Sequence, residues 1–136
     1  MKILHKDKNI LLLFFPDKKR DDNTMIRPRR VIYEFFKKEK NKHIRQFIMA
    51  LSEMIKNLYD HSCGGYLLMH KEEERISFSL LDRNTGQVDF TKPWIKKSKL
   101  NANVGLRFID SCLKPLGIKY VRVTKLGGIS YFGYWE

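Results

Sequence analysis

The sequence predicts an α+β fold, a two-layer α/β sandwich with helices on one face of a mixed, mostly antiparallel sheet. Two observations carry this. Short apolar runs come in pairs around polar turns, as hairpins do. Longer stretches between them repeat their apolar residues at helical spacing. Hairpins grouped along the chain, with helices between the groups, layer the helices on one side of the sheet. A length of 136 residues fits one domain, 1–136.

The elements follow in order. Residues 2–4 and 10–15 read as strands about the polar stretch 5–9, and Pro16 ends the second. Residues 17–23 form a charged loop, and Thr24 is placed to cap a helix over 25–38 with Pro28 at its first turn. The clearest helix spans 41–60: Ile44, Phe47, Ile48, Leu51, Met54, Ile55 and Leu58 make one stripe, and Gly64 and Gly65 stop it. Residues 66–70 and 75–81 then form a hairpin around the polar 71–74. The stretch 87–103 is basic and without period. A further helix carries Leu106, Ile109, Leu113 and Leu116 on one face, and 118–124 with 129–135 close the chain as a hairpin around Leu126, Gly127 and Gly128.

Composition narrows the function. A hydrophobic content of 43% suffices for a packed core, yet no apolar run approaches the roughly 20 residues that span a membrane. The first residues lack the apolar stretch of a secretory signal, so a cytoplasmic protein with no membrane partner is expected. Cys63 and Cys112 have no paired-ligand spacing and read as free thiols. Lys and Arg number 27 against 15 Asp and Glu, a net +12, which implies an anionic partner: nucleic acid, acidic protein or nucleotide phosphates. The aromatic residues Phe35, Phe36, Tyr131, Phe132, Tyr134 and Trp135 fall mostly where core packing explains them.

Three segments carry candidate chemistry. At about 100° per residue, Glu53, Asn57 and Asp60 lie within roughly 60° of one another, opposite the apolar stripe, with His61 beside them. A carboxylate and a carboxamide one turn apart suit a hydrated Mg²⁺ or an oriented water. The string Asp82-Arg83-Asn84-Thr85-Gly86 follows an apolar strand; an Asp there can accept from an exocyclic amine, and Gly86 lets the backbone approach a ligand. Asn101-Ala102-Asn103-Val104-Gly105-Leu106 opens the last helix, whose N-terminus is suited to phosphate.

In this order, the three segments resemble the boxes of the Bergerat-type, histidine kinase-like ATPase superfamily of sensor histidine kinases, gyrase-type topoisomerases and anti-sigma serine kinases. The spacing of Glu53, Asn57 and His61 is most similar to the anti-sigma kinases, and the resemblance covers nearly the whole chain. It departs where Asn84, Asn101 and Asn103 stand in place of glycines; Asn is the residue after Gly that best tolerates a left-handed backbone. The resemblance implies ATP and Mg²⁺ as cofactors. Asp82 would receive the adenine amine, Asn57 would coordinate Mg²⁺, and Glu53 would act as the catalytic general base. Gly86, Asn101, Asn103 and Gly105 would border the nucleotide, and 90–103 would form a lid. Lys96, Lys97, Lys99 and Arg107 are suited by type and place to offset phosphate charge.

The function expected on these grounds is a small regulatory ATP-binding protein that controls or phosphorylates a protein partner, with a homodimer left open. Two alternatives stand beside it: a non-catalytic interaction module that has lost its nucleotide, and a basic nucleic-acid-binding protein. No helical hairpin with a phospho-acceptor histidine precedes the domain, so a complete sensor kinase is not expected.

Overall fold

The computed structural model describes residues 1–16, 25–37, 43–61, 63–83, 103–125 and 128–136. The element order is β1 (Lys2–Lys6), β2 (Ile10–Phe15), α1 (Ile26–Phe35), α2 (Ile44–His61), β3 (Gly65–Lys71), β4 (Ile76–Asp82), α3 (Asn103–Leu113), a 3-10 turn (Lys114–Leu116), β5 (Lys119–Lys125) and β6 (Gly128–Trp135). The six strands form one sheet in the order β1-β2-β3-β4-β6-β5.

Every pairing in that sheet is antiparallel, which corrects the expectation of a mixed sheet. The connections give the reason. Two helices in series, α1 and α2, return the chain to the end of the sheet it left, so β3 runs against β2. The single helix α3 carries it to the opposite end, so β5 runs the same way as β4. The tight β5–β6 hairpin then inserts β6 between them, and no parallel neighbours arise.

Alternation along the strands divides the sheet into two faces. One is dry: Leu11, Leu13 and Phe15 of β2, Leu67 and Met69 of β3, Phe78 and Leu80 of β4, and Tyr131 and Trp135 of β6 are buried on it. The apolar stripe of α2 covers this face, with Phe47, Leu51, Met54, Ile55 and Leu58 all fully enclosed. Phe47 is the hub, meeting Phe36, Phe78 and Trp135 edge-on at 5.3–5.8 Å between centroids. Helix α1 flanks α2 on one side, where Arg29 Nε donates to Ser52 Oγ at 3.1 Å. Helix α3 flanks it on the other, where Gln46 Nε2 donates to the Cys112 carbonyl at 3.0 Å.

Local chemistry fixes the ends. Asp7 closes the β1–β2 turn by accepting from the backbone N–H groups of Asn9 and Ile10. Pro28 sits in the first turn of α1, where a missing N–H costs nothing. The C-terminus of α1 is covered by Lys71, whose ammonium lies 4.4 Å above the Phe35 ring and donates to the Phe35 carbonyl. Gly64, at φ +87°, takes the left-handed turn that leads from α2 into β3. Cys63 is exposed and Cys112 buried, both free. Among the described residues no helix is long and apolar enough to cross a membrane.

Among the described residues, no helix lies on the opposite sheet face. Phe132 and Tyr134 lie there, which corrects the expectation that the C-terminal aromatics are mostly core; only Tyr131 and Trp135 point inward. Strand alternation forces this split, because consecutive residues of β6 face opposite ways.

Removing the hub ring should leave a cavity that three neighbouring aromatics cannot close. Phe47→Ala is expected to destabilise the protein by roughly 3–5 kcal/mol in urea denaturation, whereas Tyr33→Ala on the half-exposed side of α1 should change stability by about 0.5 kcal/mol or less. Similar losses for both would contradict the central place of Phe47.

Candidate functional site

The described parts of the three chemical segments arrive at one end of the two layers, and the topology explains how. Strand β2 ends at Phe15 opposite Gly65, and Gly65 pairs with Asp82, so the end of β4 lies beside the start of β3. Helix α2 finishes at His61, a few residues before Gly65. Gln46 of α2 meets Cys112 of α3, while Glu53 borders the same cleft as Phe108; the helices therefore run antiparallel. The C-terminal half of α2 and the N-terminus of α3 thus arrive at the end where β4 stops.

Asp82 is buried there at 4% exposure. Its Oδ2 accepts the backbone N–H of Ile129 at 2.9 Å, and its own N–H donates to Ser130 Oγ at 2.8 Å. On its other side, Gly65 allows β3 to approach the end of β4: a Cβ on it would stand 1.9 Å from the Leu81 carbonyl oxygen. The carboxylate therefore ties β4 to β6. A carboxylate offers about four lone-pair sites, so an exocyclic amine at Asp82 would share the group with Ile129.

Asn57 corrects the helical-wheel expectation that it projects away from the core. Its Nδ2 points to the Tyr131 hydroxyl at 3.4 Å, and Tyr131 is fully buried on the dry sheet face. Asn57 is half-buried here, with α3 packed alongside α2. Glu53, one turn earlier, is half-buried and lies at the crest of the helix. It borders a cleft of about 340 Å³ with Arg29, Ile48, Met49, Ser52 and Phe108. Asp60 is exposed.

Tyr131 was not singled out by the sequence, yet it is the group on which this flank converges. Burial pushes its hydroxyl up to about 12; the Asn57 contact and Arg122 pull it down slightly, and Glu53 and Asp110 push it further up. The pairing of Asn57 with Tyr131 spans 74 residues, and that of Asp82 with Ile129 spans 47, so no local pattern announces either.

The remaining assigned residues divide by position. Asn103 is the first residue of α3, and Gly105 lies in its first turn. Arg107 follows on α3 and is exposed. Gly86, Lys96, Lys97, Lys99 and Asn101 lie outside the described residues, as does the expected lid except for Asn103. Among the described residues no group of three or more His, Cys, Asp or Glu side chains is arranged to hold a metal ion. A cation at Asn57 would depend on ligand oxygens from phosphate and water. The Asn57 amide suits that role, since pointing its nitrogen at Tyr131 turns its oxygen the other way. No protein-family model matches the chain, and no curated protein matches it in sequence.

The Tyr131 environment has a measurable consequence. Its folded pKa lies above the unfolded value of about 10, so the unfolded chain loses this proton first as pH rises. Stability from this group is complete below pH 10 and is lost between about pH 10 and 12, on the order of 2–3 kcal/mol. Urea midpoints against pH should fall in that window for the wild type and fall less for Tyr131→Phe; parallel curves would remove Tyr131 as the cause.

Proposed function

We propose that the chain binds Mg-ATP at the end of the sandwich where β4, α2 and α3 converge, and that it does so to control or phosphorylate a protein partner. The observation that carries this reading is the convergence itself. Segments separated by up to about fifty residues in sequence, and singled out by their chemistry, come to one end of the fold. Asp82 would orient the adenine amine. The Asn57 oxygen would supply one Mg²⁺ ligand, and the N-terminus of α3 with Arg107 would lie toward the phosphates. Glu53, half-buried beside an open cleft, would take the proton from an incoming protein hydroxyl. Magnesium would draw charge from the transferring phosphoryl oxygens when bound.

A second reading has its own support. The Asp82 carboxylate already serves Ile129, and asparagines replace glycines at Asn84, Asn101 and Asn103. Both features suit an interaction module that keeps the architecture and no longer holds a nucleotide.

Calorimetric titration with Mg-ATP, using Mg-GTP as control, separates the two. The first reading expects a saturable heat with ATP that is much smaller with GTP. Asp82→Asn keeps an acceptor for Ile129 but removes the charge, so ATP affinity should fall about tenfold to a hundredfold while the fold persists by circular dichroism. Glu53→Ala should abolish phosphoryl transfer or hydrolysis and leave ATP binding largely intact. The absence of any heat at millimolar ATP would favour the interaction module.

A further inference from the structure

The sheet face without helices has an unusual composition. Read across the register, its central row runs His5, Leu12, Leu68, Ser79, Phe132 and Val121, one residue from each strand. The row toward the candidate site contains Lys2, Phe14, Tyr66 and Leu81, and the row at the other end contains His70, Ser77, Tyr134 and Lys119. Among the described residues, not one Asp or Glu projects from this face. Its ionisable side chains other than the two tyrosines are lysines and histidines, with Arg75 at one corner 5.4 Å over the Tyr134 ring.

Four aromatic rings lie on the face in two sets. Phe14 and Tyr66 are neighbours at 5.1 Å between centroids, tilted by 42°. Phe132 and Tyr134 lie on β6, two strands from Tyr66, a separation of roughly 10 Å at the usual strand spacing. Between the sets, β4 presents the hydroxyls of Ser77 and Ser79. A groove of about 400 Å³ lies over β6 between β4 and β5, bordered by both serines, Arg75, Phe132, Tyr134 and the exposed Lys119. Leu68 and Leu81 beside it remain 40% and 37% exposed.

We propose that this face binds single-stranded nucleic acid. Rings held upright on a rigid sheet are stacking platforms for bases, hydroxyls between them can meet base edges or sugar, and lysines at both sheet edges meet the phosphates. The +12 charge supplies the long-range attraction. A second copy of the chain is a poor occupant, because it would set lysine and histidine rows against one another. A dry protein interface is also a poorer match, because serines are depleted from the centres of such interfaces. The face has a defined boundary: Glu72, Glu73, Glu74 and Glu136 line one cleft beyond the β3–β4 turn, and Arg75 is held by Glu72. These acids stand at the Tyr134 end of the face, opposite the Phe14–Tyr66 end. His5 and His70 are each beside an acid, Asp7 and Glu72, so Lys2 and Lys119 are the principal edge cations.

The test is fluorescence anisotropy of the whole chain with labelled oligo(U) and oligo(dT) of about 12 nucleotides, and with a duplex of equal length. The expected result is tighter binding of single strands than of duplex. Tyr66→Leu with Phe132→Leu keeps the face apolar and the fold intact, and should weaken single-strand binding about tenfold or more. Lys2→Gln with Lys119→Gln should flatten the salt dependence, with wild-type thermal stability retained in each variant. Duplex binding as tight as single-strand binding, or no effect of the leucine variant, would reduce the interaction to bulk charge and overturn the proposal. Binding of a glutamate-rich amphipathic peptide with no binding of either oligonucleotide would overturn it in favour of an acidic protein partner.

Discussion

The seating of α2 on the middle of the sheet is the constraint from which the rest follows. Six of its described side chains are fully enclosed, and Phe47 alone meets aromatic residues from β4, β6 and the end of α1. A helix turns about 100° per residue, so any slip in register would take the whole stripe off the dry face. That seating fixes the two flanks as well. One presents Ser52 to Arg29 of α1, and the other presents Gln46 to the carbonyl of Cys112 on α3. Once these are set, Asn57 reaches Tyr131 and Glu53 is left at the crest. The candidate chemistry is a by-product of how the core is packed.

The same logic separates what the sequence makes legible from what it does not. The α2 stripe, the β2 run and both later hairpins are local patterns, and they form where their periods place them. Strand β1 extends to Lys6 rather than ending at Leu4, because Asp7 folds the turn by bonding Asn9 and Ile10. The orientation of Asn57 is not local. A helical wheel places it opposite the apolar stripe, which implies solvent only for a helix with one neighbour. With α3 packed beside α2, Asn57 is half-buried instead. The Asp82–Ile129 bond depends on β6 inserting between β4 and β5, a choice of strand order that no hairpin signal contains. Phe132 and Tyr134 were assigned to the core by composition, while alternation along β6 sends them to the other face.

Asp82 joins the two halves of the argument. A buried carboxylate is costly unless its oxygens are met by donors, and the Ile129 N–H is one such donor. The bond is therefore explained by folding alone and does not by itself require a ligand. A serine or asparagine could hold β6 there at lower desolvation cost, however, so retaining a charge is more than β6 requires. That excess is the physical content of the nucleotide reading: an exocyclic amine gains most from an acceptor that is charged, dry and already fixed in direction. In the nucleotide reading the exocyclic amine would share this carboxylate with Ile129.

The two proposed anionic ligands would occupy opposite faces of the sheet. The nucleotide reading uses the helix side at the end of β4, and the nucleic-acid proposal uses the opposite face. Strands β4 and β6 belong to both. Asp82 donates its backbone N–H to Ser130, and the adjoining residues Leu81 and Phe132 stand on the open face. A ligand that tightened Asp82 would therefore stiffen the strand pair beneath the aromatic platform without touching it. Coupling of this kind needs no moving part, only a shared ladder whose order one ligand raises before the other arrives.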